Sequence, residues 1–361
     1  MLILEKPGFA IIGAGNGGQS FAAHLSILGF KVSIFDVDKA KIETMRKKGK
    51  INVSGAITGT ATTVFITDSI EEAVKYKNII MVVVPACYHA GVAESLASVV
   101  TDGQVIIINP GSTGGALEFA NIFNKFGVRA KVTIAETDTL LYACRSKEPG
   151  EVTVFGIKER IDFATLPAEE SDKVAKLINL AFPQFVAVSN VLYTSLNNAN
   201  AVCHPIPTIM NAARIEGKCP FEFYLEGVTP SIGEMMEKMD QERLEVGKAL
   251  GIELLSLKDI FKLHYGVVKD NLYESIMNTK AYKGIMGPTT LNTRFMFEDI
   301  PMGLVPIASF GDALGIDTPV TKLFIELACI LMKQDYWKEG RTVEKLGLAG
   351  LNAKQILSRV R

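Results

Sequence analysis

Three groups of residues have types and spacings that could do chemistry. The first is Gly13, Gly15 and Gly18 in G-x-G-x-x-G spacing, with Asn16 and Gly17 inside it and Asp36 further on. In a strand-to-helix turn, the first glycine permits the tight bend. The second lets a pyrophosphate approach the backbone, and the third lets helix and strand pack closely. The N–H groups and partial positive charge of the helix start attract the phosphates. A carboxylate at the tip of the next strand can accept from both ribose hydroxyls and would repel a 2′-phosphate. Asp36 therefore points to NAD rather than NADP. A Gly-rich turn without a ligand is the plain alternative. The flanking pattern argues against it: an apolar strand Phe9–Ile12, a helix with Phe21, Leu25 and Leu28 on one face, and a strand from Lys31 to Phe35.

The second group surrounds one of four histidines. His24 and His264 read as structural or surface residues, and His89, beside Pro85, as a cap or packing residue. His204 lies in the run Asn197-Asn198-Ala199-Asn200-Ala201-Val202-Cys203-His204-Pro205. On one helix, Asn197, Asn200 and His204 would share a face. That stripe is either a satisfied buried network, or an Asn and a His aimed into the cleft between two domains where a nicotinamide would lie. Pro205 cannot continue the backbone ladder and predicts a kink. The third group is Arg294-Phe295-Met296-Phe297-Glu298-Asp299, followed by the apolar turn Ile300 to Pro306. Charges among aromatics are unusual in a solvated loop. An Arg–Asp pair capping a helix is the plain reading.

The elements that must position these groups follow an α/β alternation. A helix at 39–48 and strands at 62–66, 79–84 and 104–109 are expected. A helix at 116–126, strands at 132–136, 152–157 and 185–188, and a helix at 171–182 follow. Ile79 to Val84 is a continuous apolar run of the buried parallel kind. Ligands of such sheets bind beyond the carboxyl ends of the strands. Pro85-Ala86, the loop Gly111 to Gly115 with Thr113, and Thr137 to Cys144 are then expected to line the site. After Val191 helical spacing dominates, with long helices expected at 231–250 and 319–336 and a last one at 352–360. The expected fold class is α/β. Residues 1–188 form an N-terminal doubly wound Rossmann domain, and 189–361 a mostly α-helical C-terminal domain.

Composition sets further bounds. The chain has 361 residues, 48% of them hydrophobic and 21% charged, with a net charge of −1. That balance is ordinary for a globular protein and offers no nucleic-acid or anionic-membrane surface. No apolar run is long enough to span a bilayer, and the first strand begins too early to leave room for a signal peptide. The five cysteines are scattered without metal-ligand spacing, as expected of reduced thiols in a cytoplasm. No metal site is expected.

Taken together, these stretches resemble the octopine/nopaline (opine) dehydrogenase family over nearly the whole length. The resemblance lies in the Gly13–Gly18 fingerprint, Val84-Pro85-Ala86 with His89, Asn109-Pro110-Gly111, and Thr139 through Cys144-Arg145. The Asn-rich run into His204-Pro205, and Arg294 through Asp299 to Pro306, are its most specific parts. The resemblance implies an NAD-dependent enzyme that joins the amine of an amino acid to a 2-oxo acid and reduces the resulting imine. It implies His204 as the catalytic base, Asp299 as its partner and Arg294 as the clamp on a substrate carboxylate. Asn200, Cys144, Thr139 and Thr113 are implied near the substrate, with Asn197 and Asn198 open as alternatives to Asn200. Gly13, Gly15, Asn16, Gly17, Gly18, Asp36 and Pro85 are the expected cofactor residues. A homodimer is one expected assembly. Two other readings stay open. One is a hydroxy-acid or hydroxyacyl dehydrogenase, although Val191 to Gly217 lacks the lysine that several such families use. The other is a nucleotide-binding sensor without turnover. The amino acid itself is not legible.

Overall fold

The computed structural model describes residues 6–361. They divide into a first unit that runs to Thr194 and includes Val360 and Arg361, and a second of Ser195–Arg359.

The first unit is built on twelve strands among the described residues. These are β1 Phe9–Ile12, β2 Val32–Phe35, β3 Ile51–Gly55, β4 Gly59–Ala61, β5 Val64–Thr67 and β6 Ile79–Val82, then β7 Val105–Ile108, β8 Thr133–Thr137, β9 Tyr142–Glu148, β10 Glu151–Ile157, β11 Ile161–Leu166 and β12 Phe185–Ala187. Eight of them form one sheet in the order β12-β11-β8-β7-β6-β1-β2-β5. Only β11 and β8 pair antiparallel there. The strands FAII, VSIF, IIMV and VIII are buried at every position, as strands covered on both faces must be. The strand order reverses at β1, which pairs with β2 on one side and β6 on the other. Such a switch point opens a crevice at the carboxyl ends.

A second sheet, β4-β3-β10-β9, was not expected beyond the strand at 152–157, which is observed as β10. It packs on the helix Asn16–Ile27. Gln19 Nε2 donates to Ser146 Oγ at 3.1 Å, Gln19 Oε1 accepts from Gly150 N at 2.7 Å, and the Phe21 and Tyr142 rings meet at 4.7 Å. The stretch expected as a loop from Thr137 to Cys144 is therefore corrected, because β9 starts at Tyr142. Its sequence, YACRSKE, is half polar, and β9 and β10 pair through two register shifts. Neither feature leaves a clean alternation to read.

The second unit is helical. Its longest helix, Pro230–Ala249, is capped by Thr229 and begins on a proline, whose missing N–H costs nothing there. Its buried Ile232, Met236, Met239, Arg243 and Val246 recur every three or four residues. The helix at 319 stops at Met332, because Lys333 turns left-handed at φ 54°, and a separate short helix covers Tyr336–Glu339. The expected helix through Tyr336 is thus two. Likewise, the Asn-rich stretch is not one helix. Val191–Leu196 and Asn200–Cys203 are separated by a turn, and Pro205–Met210 follows after a break at His204. No helix of the described residues is long and apolar enough to cross a membrane.

Candidate active site

The glycines of the fingerprint divide by what surrounds them. Gly13 has φ +109°, and a Cβ there would meet Val83 O at 2.5 Å; one on Gly18 would meet Gly13 O at 1.7 Å. Gly17 is buried against Val83 and Leu140. Only at Gly15 would a Cβ meet nothing within 4 Å. Its backbone faces open space at the start of a helix that no side chain caps. That open, donor-rich edge fits a pyrophosphate. Asn16, the first residue of that helix, is held by its side chain, whose Oδ1 accepts from Ser146 N at 2.9 Å.

A cavity of about 630 Å³ continues from this edge, with Gly13, Gly15, Asp36, Lys41, Val84 and Pro85 in its lining. Asp36 is fixed by three donors. Oδ2 accepts from Ala14 N at 2.8 Å and Lys41 Nζ at 3.0 Å, and Oδ1 from Asp38 N at 3.0 Å. The carboxylate thus stands at the tip of β2 with one ammonium beside it. These residues could hold the adenosine half of a dinucleotide, and they fit NAD.

Of the other residues expected in the first unit, Thr113 and Thr139 lie beyond the ends of β7 and β8, and Cys144 lies within β9 of the second sheet. Thr113 is fully buried in the loop before the helix Gly115–Lys125. Thr139 follows β8; its Oγ1 accepts from Lys158 Nζ, and its carbonyl accepts from Thr137 Oγ1 at 2.9 Å. Beside it, burial first and the neighbouring Asp162 second push the Asp138 carboxyl up to about 7. Cys144 is half-buried on β9, and burial holds its thiol above the usual range, so it stays protonated.

In the second unit the structure brings His204 and Asp299 together across 95 residues of sequence. Nδ1 lies 2.7 Å from Asp299 Oδ2, and both side chains are largely buried. The break that carries His204 follows from Pro205, which has no N–H to continue the preceding turn. Asp299 sits between the helix Arg294–Phe297 and a π turn at Ile300–Leu304 that contains Pro301. Gly340, where a Cβ would lie 2.8 Å from Pro301 O, and Arg341 N, which donates to that oxygen at 3.0 Å, pack on the turn. The imidazole stacks on Phe295 at 4.3 Å.

Its other nitrogen, Nε2, lies 3.1 Å from the Tyr224 hydroxyl. Tyr224 is buried, stacked on Tyr282 at 3.8 Å and 12°, and set edge-on to Phe223 at 4.9 Å. Burial raises its phenol well above the ordinary value, so it remains a hydroxyl. Sequence reasoning missed Tyr224; the aromatic run Phe221-Glu222-Phe223-Tyr224 was the available signal. With Nδ1–H donated to the carboxylate, Nε2 is the ring nitrogen left to face the Tyr224 hydroxyl and to exchange a proton.

The asparagines separate. Asn197 is structural: its Oδ1 accepts from Leu255 N at 3.0 Å beside the fully buried Arg243. That arginine in turn bonds Asp240 and the carbonyls of Leu196 and Leu255. Asn198 is buried near Gly303 of the π turn, while Asn200 is exposed. With the helix broken at 197–199, the three polar residues do not form the single-faced stripe expected of one helix. Arg294 pairs through Nε with Glu298. Its side chain is 60% exposed, against 3% for Glu298.

Comparison with known proteins gives consistent relatives. Residues 187–332 match the family model of the NAD/NADP octopine/nopaline dehydrogenase α-helical domain. Residues 8–116 match that of the NAD-dependent glycerol-3-phosphate dehydrogenase N-terminus. The chain is 45% identical to an opine dehydrogenase of Arthrobacter sp. (strain 1C) over 359 residues, covering 99% of this chain and 100% of that one. It is 26% identical to vitopine synthase of Allorhizobium ampelinum over 355 residues, covering 96% and 97%. Its fold is similar to that of a solved octopine dehydrogenase, with a TM-score of 0.83 at 20% identity over 98% of each chain.

Proposed function

The chain belongs to the opine dehydrogenase family, and on that premise we propose that it condenses the amine of an amino acid with a 2-oxo acid and reduces the imine at the expense of NADH. The observation that carries the reading is the Asp299–His204 pair, held together by a 2.7 Å contact between segments far apart in sequence.

NADH, when bound along the Gly15 edge and the Asp36 cavity, supplies the hydride for the imine carbon. The chain's own residues move protons and hold substrate. An amino acid must lose its ammonium proton before its nitrogen attacks a carbonyl, and His204 Nε2 accepts that proton. The imidazolium is stabilised by the Asp299 carboxylate on Nδ1. His204 returns the proton when the carbinolamine expels water. Arg294 offers its guanidinium to a substrate carboxylate, with Glu298 setting its direction. Thr139, Cys144, Thr113 and Asn200 are proposed to line the substrate site, and Gly13, Gly15, Asn16, Gly17, Gly18, Asp36 and Pro85 the cofactor site. The five free cysteines suit a reducing cytoplasm. A homodimer is the assembly proposed, with sedimentation as its check.

The test is NADH oxidation with pyruvate and with 2-oxoglutarate, each alone and with a panel of amino acids and taurine. Turnover that requires both an oxo acid and an amine is expected. Turnover with the oxo acid alone would make the chain a hydroxy-acid dehydrogenase. Tight NADH binding with no turnover on the panel would make it a sensor.

A further inference from the structure

Resting on the reading of His204 as the base, we propose that the Tyr224 hydroxyl is a further catalytic group, relaying the proton between His204 Nε2 and the substrate. The nitrogen that must exchange protons is already engaged, with Tyr224 Oη at 3.1 Å. At rest the hydroxyl covers the lone pair of Nε2, and both rings are held in place. The imidazole is fixed by Asp299 at 2.7 Å on one edge and by Phe295 at 4.3 Å on one face. The phenol lies flat on Tyr282 at 3.8 Å, is flanked by Phe223 at 4.9 Å, and is only 7% exposed.

A hydroxyl removes the conflict, because it donates and accepts at once. As the substrate ammonium gives its proton to Tyr224 Oη, the phenol proton moves to Nε2. The carbinolamine step runs the same two transfers in reverse, so that the hydroxyl oxygen of the carbinolamine leaves as water. No tyrosinate forms in either direction, so the strongly raised phenol costs nothing.

The experiment uses Tyr224→Phe and His204→Ala in the full chain, with pyruvate and the amino acid most active in the panel. Phenylalanine keeps the stack on Tyr282 and removes only the hydroxyl. For Tyr224→Phe the expected result is a kcat loss of about 10²-fold, the scale of one general acid–base group, with unchanged NADH affinity and melting temperature. The wild type read in H2O/D2O mixtures should give a curved proton inventory, since two protons move together. A linear inventory in the wild type overturns the relay without any variant. So does Tyr224→Phe turning over within about threefold of wild type while His204→Ala is inactive, because the hydroxyl then only occupies Nε2 at rest. His204→Ala turning over at the wild-type rate would instead overturn the reading of His204, and the relay with it.

Discussion

Replacing Asp299 with asparagine tests the centre of the assignment while barely changing its shape. The carboxylate oxygen lies 2.7 Å from Nδ1, and at an effective dielectric near 20 such a contact between unit charges is worth roughly 6 kcal/mol as an upper bound. The lower bound is the advantage of a charge-assisted hydrogen bond over a neutral one, about 1.5 kcal/mol. The side chains are 15% and 10% exposed, so solvent screens the pair in part and the effect falls between these limits. About 3–4 kcal/mol of lost imidazolium stabilisation corresponds to a kcat loss on the order of 10²–10³-fold. Asparagine can also present its N–H₂ to Nδ1 and favour the wrong tautomer, which acts in the same direction. The assay is NADH oxidation at saturating amine and oxo acid, with NADH affinity followed by fluorescence titration and expected to stay constant. Combined with His204→Ala, the double variant should be little worse than the worse single one, because the two residues act as a unit. An Asp299→Asn enzyme within threefold of wild type would refute the reasoning, as would fully additive losses.

The remaining predictions concern the first unit. Asp36 should make NADH at least about tenfold better than NADPH in kcat/KM, and Asp36→Ala should narrow that ratio, because Lys41, now 3.0 Å from the carboxylate, becomes available to a 2′-phosphate; equal use by the wild type would refute this reading. Gly15→Ala should fold normally but weaken NADH binding about tenfold or more, whereas Gly18→Ala, with a Cβ 1.7 Å from Gly13 O, should lower the melting temperature sharply; calorimetry beside NADH titration separates the two. Asp138 holds its proton up to about 7 in the fold and only to about 3.8 when unfolded, so its contribution is intact below pH 4 and is lost as pH rises through 7. Asp138→Asn should therefore raise the melting temperature by a few degrees at pH 8 and leave it unchanged near pH 4; an equal gain at both would contradict the buried carboxyl.

The chemistry-bearing residues were legible because local pattern governs them. Gly13 to Asp36 form one contiguous strand–turn–helix–strand unit whose glycine spacing is set by backbone sterics. The apolar runs at β1, β6 and β7 could only be buried parallel strands. Resemblance singled out His204, Asp299 and Arg294, but nothing local joins them. Their arrangement belongs to tertiary packing. The chain breaks at His204-Pro205 and widens into a π turn at Pro301, and these two irregular points place imidazole and carboxylate 2.7 Å apart. The same packing decides what spacing could not. Asn197 is drawn into the Arg243 network, Arg294 takes Glu298, and Tyr224, distant in sequence from Asp299, closes on Nε2. The second sheet stayed hidden for a related reason: its half-polar strands derive their order from the helix Asn16–Ile27 beneath them. Periodicity reports which face of an element is buried, and only the fold determines what that face is buried against.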